Sequence, residues 1–259
     1  MMRRMTSFAP LVLGAAALAL TCWRLLPAVW ACEVGDPVVE VVASWPRDQY
    51  LLVCFQGAQG AVSPAALPLE KAVKGYGPRA NVKLVSSQVK GQGAEGAPAV
   101  LVSPRGMVLA CFDSAPAEGE VKALLESPAR GDLVRSLQKN KAVFLCLMDG
   151  KSDAGKKTVQ VLKSALELTR QLSDASTDFI VLDPSAPGEE YLIRNVCLQA
   201  PSQAAGEPVV ALVCGNGRVA DVTVGVPTEE QIIDRLQRIY RDSGLVDPSR
   251  FGEDLLLIW

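Results

Sequence analysis

One stretch constrains the fold more than any other: Ala142 to Leu172, AVFLCLMDGKSDAGKKTVQVLKSALELTRQL. It opens on an unbroken apolar run, Ala142 to Met148, of the length of a strand buried on both faces. A polar turn follows, Asp149 to Gly155. Val159, Leu162 and Leu166, flanked by Val161, Ala165, Leu168 and Leu172, then recur at spacings of three and four. Such spacing draws one apolar stripe along a helix. Ser152 or Asp153 suits its N-cap. A buried strand, an exposed turn and a long helix place Ser152-Asp153-Ala154-Gly155 at the helix entrance.

The segments around this unit read in the same terms. After it, Phe179 to Leu182 is a strand and Glu189 to Val196 a short helix. Cys197 to Glu207 is a polar loop of small residues, and Pro208 opens a strand over Val209 to Val213. Gly215-Asn216-Gly217 makes a tight turn into a return strand, Arg218 to Val224. Thr228-Glu229-Glu230-Gln231 is a capping box for a helix burying Ile232, Ile233, Leu236, Ile239 and Tyr240. The tail ends in Leu255-Leu256-Leu257-Ile258-Trp259, apolar enough to pack as an added strand.

Upstream, Val38 to Ala43, Tyr50 to Phe55 and Asn81 to Ser86 read as strands, with Tyr50 to Phe55 central. Pro64 to Val73 is a weak helix broken at Pro68. Ala99 to Val102 and Met107 to Phe112 form a hairpin around Gly106, and Ala117 to Leu125 a helix. Ser127-Pro128-Ala129-Arg130-Gly131 punctuates the chain, and Asp132 to Gln138 is a short amphipathic connector. The two halves pair up. Cys54 in YLLVCF matches Cys146 in AVFLCL, 92 residues on, and Gly106 in SPRGMV matches Gly217 in CGNGRV, 111 residues on.

The first 31 residues carry Arg3, Arg4 and Arg24 and no acid, with Phe8 to Trp23 apolar. A basic end followed by an apolar run marks an export segment. Val29 and Ala31 suit a cleavage site, and Cys32 after it allows lipidation. A cleaved signal, a retained membrane anchor and lipidation at Cys32 stay open. The remainder holds 23 basic and 28 acidic residues, without a basic patch for nucleic acid. No histidine is present, which excludes Ser-His-Asp and Cys-His catalysis. Of seven cysteines, Cys54, Cys111, Cys146 and Cys214 sit in apolar strand-like runs and read as buried small apolar residues. No pair has Cys-x-x-Cys spacing. Lys156-Lys157 reads as a solvated face. Asp149 and Asp153 alone do not make a calcium site, and Gly91 to Gly96 lacks the residues of a phosphate loop. No cofactor is indicated.

The second half resembles thioredoxin along nearly its whole length. Phe179 to Gly225 is similar to the region from that family's third strand to the glycine before its last helix. Ile193-Arg194-Asn195-Val196 stands where the family has the start of Ile-Arg-Gly-Ile-Pro, and the loop to Pro208 is an insertion. The whole chain is also similar to an uncharacterised family of exported bacterial proteins with two such halves. The carrying motifs are Trp45-Pro46, Ser127-Pro128-Ala129-Arg130 and the closing Asp254 to Leu257 with Trp259. The resemblance implies two tandem thioredoxin-like α/β domains, each of three α/β/α layers. They would span 36–127 and 131–242, after a signal or anchor over 1–31, with 243–259 a tail on the second. It also implies a cis bond before Pro98. At the positions of the family's two cysteines this chain has Ser152 and Gly155, which supply no thiol, and Gln56 to Ser63 supplies none in the first half.

The expected function is therefore that of a redox-inactive protein-binding module, or complex subunit, of the cell envelope. Its partners would be other envelope or membrane proteins, met at a patch of Asn195, Cys197, Gln199, Ser202, Gln203 and Pro208 beside the Ser152 turn. The alternative is a thiol–disulfide enzyme using Cys197 alone. Export is directly testable. Residues 1–35 fused to a reporter active only outside the cytoplasm should give signal, and a silent but well-expressed fusion would refute export.

Overall fold

The computed structural model describes residues 38–55, 67–87, 99–114, 117–172, 176–201, 206–240 and 248–257. In chain order the first part contains helix α1 (Val38–Ser44), strand β1 (Tyr50–Phe55), helix α2 (Leu67–Tyr76), strands β2 (Val82–Ser87), β3 (Ala99–Val102) and β4 (Val108–Phe112), and helix α3 (Glu118–Leu125). The second part contains helix α4 (Pro128–Leu137), strand β5 (Ala142–Leu147), helix α5 (Asp153–Leu172), strand β6 (Thr177–Leu182), helix α6 (Glu190–Gln199), strands β7 (Val209–Cys214) and β8 (Arg218–Val224), and helix α7 (Glu229–Tyr240). The strands form two four-stranded sheets, ordered β2-β1-β3-β4 and β6-β5-β7-β8. In each, the first two strands are parallel and the hairpin strands antiparallel. A βαβ unit followed by a hairpin and a helix, in this order, is the core of a thioredoxin-like fold. Among the described residues no helix is long and apolar enough to cross a membrane.

The sheets match residue for residue. Tyr50 opens β1 opposite Val82 as Ala142 opens β5 opposite Thr177, so Cys54 and Cys146 occupy the same place. The hairpins share an irregularity, between Leu101 and Val102 in one and Leu212 and Val213 in the other, at the 111-residue offset read from Gly106 and Gly217. Both of those glycines have positive φ.

The layers differ. On β5, Ala142, Phe144 and Cys146 face a core with α5, α7 and α1. Val143, Leu145 and Leu147 face another with α4 and α6. That half has the expected three layers. In the first half α2 and α3 pack with Tyr50, Leu52 and Cys54 in one core. The other face carries only a small cluster around Phe55 and Val100, so among the described residues this half has two layers.

Several local expectations change. Val38 to Ala43 is helical, although valine favours strands. Val39 and Val42, one turn apart, insert into the second core, and packing overrides propensity. Pro68 lies in the first turn of α2, where a missing N–H costs nothing. The Ser127–Gly131 punctuation is the start of α4: Ser127 Oγ accepts the Arg130 N–H at 3.3 Å, and Pro128 sits just inside. The loop expected from Cys197 begins later, because Cys197 to Gln199 complete α6. Cys111 is exposed, on the outward face of edge strand β4, whereas Cys54, Cys146 and Cys214 are buried. Leu168 faces solvent rather than the core. Pro98 and Gly244 lie outside the described residues.

The tail is not an added strand on the second half. It meets β8 through one antiparallel bridge, Arg218 to Asp254. Gly252 N–H donates to Val219 O at 2.8 Å, and Leu255 N–H to Gly217 O at 2.8 Å. The first half claims the next carbonyls, which stops the ladder. Tyr50 Oη donates to Asp254 O. Asn81 Nδ2 donates to Leu256 O at 2.8 Å, and Asn81 N–H to Leu257 O at 3.0 Å. Leu255 and Leu256 fill the second core and Leu257 the first. Gly217 must lack a side chain here: a Cβ would fall 2.7 Å from Leu256 Cγ.

Arg218 ties this seam together. Its Nη2 donates to Asp48 Oδ1 at 2.7 Å and its Nε to Asp254 Oδ1 at 3.0 Å. Its guanidinium stands 5.5 Å from the Trp45 ring centre. Arg218→Ala strands a buried carboxylate and should lower unfolding free energy by about 3–5 kcal/mol, read from the denaturant midpoint. Burial holds the Asp254 carboxyl above its ordinary range even with Arg218 beside it. Without Arg218 that rise should grow. A raised folded-state pKa gives stability that is present below the unfolded value and lost as pH rises through the folded one. The deficit of the variant should therefore shrink on acidification, and a deficit that widens would refute the assignment.

Candidate functional site

The turn between β5 and α5 carries the positions of interest. Ser152 Oγ donates to Asp149 O at 2.7 Å and accepts the Gly155 N–H at 3.0 Å. The hydroxyl is thus the N-cap of a twenty-residue helix. It occupies the place where a thiolate would otherwise collect the helix N–H groups. Gly155 is buried, and a Cβ there would stand 2.1 Å from Asp149 O and 3.0 Å from Asp149 C. Both obstructing atoms are backbone, so no rotamer change relieves them. The second position of a dithiol pair has no room for any side chain.

The structure separates the residues of the expected patch. Asn195 is fully buried. Its Nδ2 donates to Tyr50 Oη at 2.7 Å, and its Oδ1 accepts from Gln199 Nε2 at 3.1 Å. Gln199 Oε1 in turn accepts the Glu253 N–H at 2.7 Å. Both amides hold the two halves and the tail together; Asn195 offers no surface and Gln199 is half-buried. Pro208 is buried, its carbonyl accepting the Gly225 N–H at 2.8 Å. Ser202, Gln203 and Cys32 lie outside the described residues.

Cys197 does reach the turn. It is half-buried in a cleft of about 370 Å³ with Asp149, Asp183, Glu207 and the apolar Leu147, Ile193 and Val209. Ser185 holds the Asp183 carboxyl below its ordinary range through its hydroxyl and its N–H. Burial pushes the Cys197 thiol up, toward the protonated form. Burial likewise pushes Cys146 and Cys214 up to about 12. The described cysteines form no disulfide. The inward role of Asn195 and Gln199 has no local signal, because their partners lie 145 residues upstream at Tyr50 and 54 residues downstream at Glu253.

No family model and no curated protein matches the chain. Among solved structures it is similar to human ERp44 in its zinc-bound form, at 12% identity and a TM-score of 0.25, over 79% of this chain and 59% of that one. It is also similar to the NTD_N/C domain of alkylhydroperoxide reductase AhpF from Enterococcus faecalis, at 14% identity and a TM-score of 0.23, over 77% of this chain and 95% of that one. The chain spans only 59% of the length of the first. Overlaps this loose carry no argument, and the fold follows from strand order and register.

The Gly155 geometry makes a direct prediction. Gly155→Ala should destabilise by about 1–3 kcal/mol through overpacking, and Ser152→Ala by about 1 kcal/mol through the lost cap, both read by chemical denaturation. A neutral Gly155→Ala would remove the steric argument.

Proposed function

We propose that the chain is a pair of tandem thioredoxin-like domains without redox activity, exported from the cytoplasm, that binds another protein of the cell envelope. The observation carrying this reading is the absence of room at Gly155, where a dithiol mechanism needs a side chain. The unused scaffold keeps what thioredoxin-like domains use for recognition, a cleft at the end of the sheet beside the helix entrance. Here that cleft offers Asp149, Asp183 and Glu207 around an apolar floor. A partner segment with an apolar anchor and a lysine or arginine fits that chemistry.

The alternative, a single-cysteine enzyme, draws on the place of Cys197 in the same cleft. Against it stands the raised thiol pKa, which lowers the fraction of reactive thiolate. Two measurements separate the readings. Insulin reduction with dithiothreitol should proceed at the buffer rate, and installing cysteine at both 152 and 155 should not raise it. A rate that disappears in Cys197→Ser would establish the enzyme instead. In crosslinking from membranes, the joint variant Asp149→Lys, Glu207→Lys should lose the partner that the parent chain recovers. Equal recovery would place the contact elsewhere.

A further inference from the structure

A second, larger cleft lies where the halves meet in sequence, between the end of α3 and the start of α4, with a volume of about 710 Å³. That is within the range of small-molecule sites. Arg130 forms part of its wall and is itself 3% exposed. A guanidinium has five N–H donors in a planar fork. Arg130 spends Nη1 on Leu124 O at 2.7 Å and Ala123 O at 3.3 Å, and Nε on Leu255 O at 3.2 Å. Its Nη2 donates to no described residue. Glu189 is the facing carboxylate, but its Oε1 accepts the Ala129 N–H at 2.7 Å and it makes no hydrogen bond to Arg130. Burial pulls the Arg130 pKa down to about 10, against the opposing pull of Tyr50 and Glu189.

The rest of the wall holds three bases and two acids. Arg79, Lys122 and Arg135 are basic. Of the two acids, Asp132 pairs with Arg135, and Glu126 lies near Tyr76, whose pKa it helps to raise. Leu125 and Val134 supply apolar surface.

We propose that this cleft binds a small organic anion, a carboxylate on an apolar chain, with the carboxylate on the Nη2 edge of Arg130 and the chain against Leu125 and Val134. Such a ligand would bridge the halves, since α3 belongs to one and α4 to the other.

Hexanoate, titrated into the full chain by calorimetry, should saturate one site. Hexanamide, of the same shape without the charge, and acetate, without the chain, should each bind at least about tenfold more weakly. Gly131→Leu fills the cleft from α4. Its Cβ meets only Arg135 Nη1 at 3.4 Å, the far end of a flexible exposed side chain. That variant should keep its melting temperature and lose hexanoate binding. Arg130→Lys, which keeps charge but not the fork, should weaken hexanoate about tenfold; if it fails to fold, Gly131→Leu decides alone. Absence of hexanoate binding, equal binding of hexanamide, or unchanged binding in Gly131→Leu would each overturn the proposal.

Discussion

The segment from Gly252 to Leu257 has almost no secondary structure, yet Glu253 to Leu257 are all buried. Buried peptide groups must find partners, and in an irregular segment these must come from elsewhere. Here they come alternately from the two halves. Val219, Gln199 and Gly217 serve the segment from the second half, and Tyr50 and Asn81 from the first. Three leucines then enter two different cores, each burial contributing about 1.5–3 kcal/mol. At the other end of the described chain, α1 packs on the second sheet before β1 opens the first. Each half is therefore closed by chain that belongs in sequence to the other, and neither is an independent bead.

This interlocking determines what α6 can present. Tyr191 and Leu198 pack on the first core, while Leu192 and Val196 fill the second. Asn195 and Gln199, four apart and so on one face, are drawn into the seam. Cys197, two residues from each, points away from that face and into the cleft by the Ser152 turn. The seam consumes the amides, and only what helical geometry turns away from it remains at the sheet end. The cleft at the sheet end is lined by Asp149, Asp183 and Glu207, which the composition of the expected patch did not suggest.

What could be read from the sequence was whatever had a local cause. The apolar run of β5, the Ser152 cap and the Thr228–Gln231 capping box are written within a few residues, and the structure realises each. The two repeat offsets are visible because strand pairing preserves spacing exactly where side-chain identity drifts. What could not be read was decided at a distance. A valine-rich heptad became α1 because a groove on the second sheet receives Val39 and Val42. The tail stopped short of a strand because Asn81 and Tyr50 claim its carbonyls. Arg130 looked like part of a linker because the carbonyls it holds are those of a helix end and of a tail 125 residues away. Ser152 and Gly155 announced a missing dithiol, but the reason that position 155 is closed is an oxygen at Asp149, visible only once the turn is folded.

The placement of sulfur follows the same logic. The point in this fold where a thiolate would be most stabilised is the N-terminus of α5, where unpaired N–H groups and the helix dipole favour a negative charge. That point is filled by a serine hydroxyl, which satisfies one N–H and carries no charge. Among the described cysteines, Cys54, Cys146 and Cys214 are buried where a thiolate is disfavoured. Cys54 and Cys146 occupy matching positions in the central strands of the two sheets, and burial raises both. There sulfur serves as a small apolar filler. Those two thiols thus sit in the walls of the sheets, while at the open end of the second sheet Cys197 shares one cleft with Asp149, Asp183 and Glu207.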